Sequence, residues 1–133
     1  MPPQLELVRQ WIERARNDLR SAEHALLASP PLTEDACFHA QQAVEKSLKA
    51  LLALDDIDYP FTHDVGWLLE LVLPLHPEFA RFAEAIDGFE LHAVSMRYES
   101  LQPTKQQAQS AMRAAHDIYA AAADIVAGRA EPS

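Results

Sequence analysis

Thr33-Glu34-Asp35-Ala36-Cys37-Phe38-His39-Ala40-Gln41-Gln42-Ala43-Val44-Glu45-Lys46-Ser47-Leu48-Lys49-Ala50-Leu51-Leu52-Ala53-Leu54 contains neither glycine nor proline and reads as one helix. Cys37, Ala40, Val44, Leu48 and Leu51 recur at three- and four-residue spacing, the period of an α-helix with one buried stripe. Thr33 is placed to cap it, and Glu34 and Asp35 suit the positive end of the helix dipole. On the polar side, His39, Gln42, Lys46 and Lys49 repeat at about one turn and project in one general direction. Two lysines and an imidazole there are either an ordinary solvated face or a clamp for a phosphate.

The same period extends outward from this stretch in both directions, and prolines divide it, because proline breaks the interior ladder of a helix. Ahead of it, Trp11, Ala15, Leu19, Ala22 and Leu26 mark a helix from about Leu5 to Ala28, stopped by Pro30 and Pro31. After it, residues 55–61 read as an exposed, mobile loop, and Thr62-His63-Asp64 offer caps for a short helix ending before Pro74. Pro77 is placed to open a helix carrying Phe79, Phe82, Ala83 and Ile86, with an undefined end beyond Gly88. Pro103 is placed to open the last helix, which runs to about Ala127 with Gly128 as its left-handed terminator. No segment alternates with period two. The expected fold is all-α, an up-and-down antiparallel bundle of four to five helices.

The chain has 133 residues, 49% of them hydrophobic, enough for one domain spanning residues 1–133. Its three glycines rule out a glycine-rich phosphate loop. One cysteine makes neither an internal disulfide nor a four-thiolate zinc site, and no leader pattern opens the chain, so a cytoplasmic protein is expected. A net charge of -9 opposes general DNA or RNA binding, and no membrane segment is expected. The six histidines are scattered without metal-ligand spacing, so neither a metal nor a cofactor is called for.

Several polar residues stand at apolar positions. Glu45 flanks the stripe of its helix and Asp18 lies between Ala15 and Ala22 on theirs, so each carboxylate needs a cation or donors. Arg97, in Ser95-Met96-Arg97-Tyr98-Glu99 between the fourth helix and Pro103, is the expected counter-charge for Glu45, with Asp18 the alternative acid. His63-Asp64 reads as a cap or an acid–base pair. Cys37 belongs to the core stripe and reads as inert packing, and Trp11, Trp67, Phe79 and Phe82 read as core.

Ala15-Arg16-Asn17-Asp18-Leu19, the run Cys37 to Leu51, Thr62-His63-Asp64 and Met96-Arg97-Tyr98 stand in the order and spacing of a HEPN domain, the "higher eukaryotes and prokaryotes nucleotide-binding" family. The chain resembles that family from about Gln10 to Ala127. The resemblance implies a helical bundle that forms a homodimer and works beside a minimal nucleotidyltransferase, in some cases as a toxin–antitoxin pair. It also implies a nucleotide ligand at His39, Gln42, Lys46, Arg97 and Tyr98, with Asp18, Glu45 and His63 as a structural polar cluster.

Other members of the family are metal-independent ribonucleases that use an arginine followed, four to six residues on, by a histidine. Leu101, Gln102 and Pro103 occupy the corresponding places after Arg97, with Thr104 just beyond, and none is a histidine. A general acid–base pair of that form is absent, so the sequence reading assigns no catalytic residue and favours binding over turnover. A diverged ribonuclease or a purely structural dimerisation module are the alternatives. The small residues of the last helix, Ala108, Ala111, Ala114, Ala115 and Ala120 to Ala123, suit a two-fold seam.

Overall fold

The computed structural model describes residues 3–98 and 102–130, with side chains over 4–90 and 102–129. It is all-helical, with no strand among the described residues: α1 (Pro3–Leu27), α2 (Thr33–Leu54), α3 (Val65–Val72), a 3-10 turn (Pro77–Phe82), α4 (Ala83–Tyr98) and α5 (Lys105–Ala130). Among the described residues, no helix is long and apolar enough to cross a membrane.

The expected stripe of α2 forms the centre of the core: Cys37, Ala40, Val44, Leu48 and Leu51 are all buried. α1 lies antiparallel along it. The Gln4 amide at the start of α1 donates to the carbonyls of Ala53 and Leu54 at 2.8 and 2.9 Å, closing the end of α2. α5 runs in the same direction as α2, because Gln102 ahead of it reaches Glu34 at 3.1 Å and Arg129 near its end reaches Asp55 at 2.8 Å. The chain makes its return between them through α3, the 3-10 turn and α4, which anchor Val65, Leu68, Phe79, Phe82 and Ile86 in the same core.

Several local expectations are corrected. Leu32, with no side-chain bond, stands at the cap of α2, and Thr33 is already helical. Pro77 opens a 3-10 turn ahead of α4, and α4 then runs through Gly88 to Tyr98, so Arg97 sits in a helix and not in a connection. The last helix begins at Lys105. Thr104 caps it reciprocally with Gln107, each side chain bonding the other's backbone N–H at 2.9 to 3.0 Å. Gly128 continues α5 without a positive φ. The loop 55–64 is less exposed than expected, since Ile57 and Tyr59 are half-buried against the core. At its start Asp56 takes φ 56° and Ile57 N–H bonds Leu52 O at 2.9 Å, a Schellman closure with aspartate where glycine is usual. Asp55 also accepts from buried His76 at 2.8 Å, tying this turn to the segment ahead of the 3-10 turn.

Candidate functional site

The face of α2 turned toward α1 gathers the polar residues. Asp18, in the middle of α1, is buried, and its two oxygens are taken by two residues of α2: His39 Nδ1 stands 3.0 Å from Oδ1, and Lys46 Nζ donates to Oδ2 at 2.5 Å. His39 and Lys46 lie two turns apart, so one carboxylate from the neighbouring helix spans both. Gln42, half-buried, lies between them on the same stripe. The exposed Phe38 ring meets the His39 imidazole edge to face, centroids 5.4 Å apart.

A second ion group sits beside the first. Glu45 is only 3% exposed, and it accepts from Lys49 Nζ at 3.0 Å and lies 2.8 Å from His63 Nδ1. Lys49 was expected on the solvated face, yet it is only 7% exposed, with its ammonium 5.4 Å from the centroid of Trp11. The physical reason is Glu45 one turn earlier, which pulls the lysine head inward while the Trp11 ring covers it. Trp11 in turn donates through Nε1 to the Tyr59 hydroxyl at 2.9 Å, so the 55–64 loop is fastened to α1 as well as to α2. His39 and His63 each set Nδ1 against a carboxylate, and among the described residues the other ring nitrogen of each has no hydrogen-bond partner.

Among the described residues, Lys46 is paired with Asp18 and Lys49 with Glu45. Glu45 has the Lys49 ammonium as a counter-charge. The side chains of Arg97 and Tyr98 lie outside the described residues, and so does the expected Arg97–Glu45 pair. Asp18 and Glu45 with His63 are thus members of two adjacent ion groups.

At the start of α3, Asp64 is the cap that the sequence indicated, accepting from Trp67 N–H at 3.1 Å. Glu90 of α4 joins it by accepting from Gly66 N–H at 3.0 Å. The two carboxyls share a hydrogen bond that holds Asp64 below the usual carboxylate range and Glu90 above it. Nothing in the sequence flags Glu90, which is 24 residues from Gly66. Trp67, expected in the core, is 46% exposed and lines a groove of about 440 Å³ with Asp64, Glu70, Asp87 and Glu90. A larger cleft of about 630 Å³ opens between α2, α4 and α5, on another side of α2 from His39 and Lys46. It is walled by Cys37, Gln41, Gly88, Phe89, Ser110 and Ala111. Burial pushes the Cys37 thiol up to about 11, in keeping with inert packing. Of the small residues of α5, Ala108, Ala115 and Ala122 are buried inside this chain's own core. Among the described residues no group of three or more histidine, cysteine or acidic side chains is placed to hold a metal.

No curated protein and no solved structure matches the chain. The family model of the HEPN domain matches residues 8–125, a span that includes Asp18, the whole of α2, the α3 cap and most of α5. The protein therefore belongs to the HEPN domain family.

Proposed function

We propose that the protein binds a nucleotide through its phosphate on the α1-facing side of α2, either free or presented by a minimal nucleotidyltransferase partner, and that it does so as a homodimer without turnover. The observation that carries this reading is the convergence of His39 and Lys46 on two oxygens of one anion, here Asp18. A phosphate offers the same pair of acceptor oxygens. Gln42 lies between the two donors to meet a sugar or base, Phe38 offers an exposed ring beside them, and Arg97 and Tyr98 complete the set that the family resemblance implies. A partner bringing apolar area as well as a nucleotide would bind more tightly than the nucleotide alone, in the manner of a toxin–antitoxin-like pair.

The test is a calorimetric titration with ADP at two salt concentrations. Weak binding that falls as salt rises and is abolished by Lys46→Glu is expected. Single-stranded RNA should stay intact. RNA cleavage lost on His39→Ala would overturn the non-catalytic reading, and absence of any ADP response up to millimolar concentration would leave only the protein partner.

A further inference from the structure

The groove of about 440 Å³ between α3 and α4 shares no residue with the α1-facing side of α2. Buried Leu69 and Ile86 and half-buried Leu73 and Ala83 give it an apolar floor, and the half-exposed ring of Trp67 lines it. Four acids, Asp64, Glu70, Asp87 and Glu90, stand around that floor, and no basic residue is among the described residues that line it. None of the four has an ion-pair partner among the described residues. Two basic side chains close by in sequence are engaged elsewhere: His63 faces Glu45, and Arg81 lies over the Phe82 ring at 4.6 Å. An indole left in water beside an apolar floor is surface that association would bury, and the acids around it set the sign of what can cover it.

We propose that the α3–α4 groove is a docking site for an arginine-bearing segment of a partner protein, which lays a guanidinium on Trp67 among the four acids and its apolar neighbours on the floor. Charge complementarity commits the groove to a cationic partner and turns away a polyanion such as RNA. The acids surround the floor instead of converging, since no three histidine, cysteine or acidic side chains among the described residues are placed to hold a metal, and that spread suits an extended cation. Arginine fits this wall better than lysine does. Its planar guanidinium stacks on an indole while its N–H edges meet carboxylates, whereas an ammonium is a strongly hydrated point charge. The floor also calls for aliphatic side chains, which a protein segment brings and a free polyamine does not. Glu90 is held above the usual carboxylate range, chiefly by its hydrogen bond to Asp64 and to a smaller extent by the charge of Asp87, as an acid among acids is. The groove and the nucleotide site share no residue, so this inference stands or falls without that reading.

The experiment titrates the full chain with a fluorescein-labelled helical peptide of alanine, leucine and arginine, the leucines and arginines one turn apart, and with the same peptide carrying glutamate for arginine. The arginine peptide is expected to bind, with an affinity that falls as salt rises, and to shift the tryptophan emission; the glutamate peptide is expected to give no response. Trp67→Ala should weaken binding roughly tenfold. Asp87→Asn and Glu70→Gln should each weaken it roughly two- to fivefold. Both acids are exposed, so the double variant Glu70→Lys with Asp87→Lys should keep the fold and reverse the preference, losing the arginine peptide and accepting the glutamate one. A merely structural role for these side chains would move the melting temperature and leave the preference alone. No binding of the arginine peptide up to millimolar concentration, or binding indifferent to Trp67→Ala and to the double lysine variant, overturns the inference. Spermidine that displaces the peptide at equal concentration would give the groove to free polyamines. A wild-type dimer that excludes the peptide and dissociates in the double lysine variant would give it to a second copy of this chain, and either result also overturns the inference.

Discussion

His63 Nδ1 stands 2.8 Å from Glu45 Oε1, so the residue just ahead of α3 is fastened to the middle of α2. The two partners are not equally committed to the bond. Glu45 is 3% exposed and His63 side chain is 83% exposed, so the carboxylate depends on its partners far more than the imidazole does.

Glu45→Ala is therefore expected to destabilise the protein by about 3 kcal/mol, because it strands the buried Lys49 ammonium without a counter-charge. His63→Ala should cost under about 1 kcal/mol, since an exposed partner contributes little. Urea denaturation of both variants checks the asymmetry, and equal losses would contradict it.

Two helical glycines should respond to alanine in opposite directions. A Cβ at Gly66 would come 2.5 Å from Glu90 Oε1, so Gly66→Ala must displace that carboxylate and forfeit its bond to the α3 backbone, at about 1 kcal/mol. At Gly88 a Cβ meets nothing within 4 Å among the described residues and the backbone is helical, so Gly88→Ala should stabilise by roughly 0.5 to 1 kcal/mol. Thermal melts of the pair give the two signs.

The Asp64–Glu90 pair predicts a pH dependence. Glu90 is raised by its hydrogen bond to Asp64 and by desolvation, so its contribution is present at low pH and lost as pH rises through its folded value. Asp64 is lowered by that same bond and by the Trp67 N–H, so its contribution is lost as pH falls through its folded value. Between the two values the pair shares one proton and is at its best. Above the raised value of Glu90 the two charges repel, and Glu90→Gln, which keeps a donor toward Asp64, should melt higher than the wild type at neutral pH. A wild-type-like melting profile from acid to neutral pH in Glu90→Gln would remove the pair from the stability account.

Cys37 should resist iodoacetamide at mildly alkaline pH in the folded protein, because its thiol is buried and pushed up to about 11. Labelling should follow the unfolding transition in urea. Prompt labelling of native protein would place the thiol at the surface.

Much of the fold is legible in the chain because the deciding signals are local. The buried stripe of α2, its bounds and the Asp64 cap follow from spacing and from neighbours within four residues. The features that escape are set by partners distant in sequence. Lys49 looks like a surface residue until Trp11, on another helix, covers its ammonium. Trp67 has the period of a core residue, yet α4 meets α3 on the adjacent face and leaves its ring outward. Gly128 carries a stop signal, but α5 continues as helix to Ala130, and Asp56, with no glycine to announce it, closes α2. In the candidate site, the residue types on α2 were readable and their electrical state was not, because the neutralising Asp18 lies 21 residues from His39 and 28 from Lys46.

The setting of Trp11 makes the protein its own optical gauge. The chain has two tryptophans, and they stand in different surroundings. Trp11 is held by the Tyr59 hydroxyl with Arg14 and Lys49 charges about its ring at 5.5 and 5.4 Å, whereas Trp67 stands half in solvent at the acidic groove. Acrylamide should quench the redder, solvated indole first and leave a bluer remainder. With Trp67→Phe that remainder becomes a single lamp on the loop of residues 55–64, bright or dim according to whether Tyr59 and Lys49 keep their places.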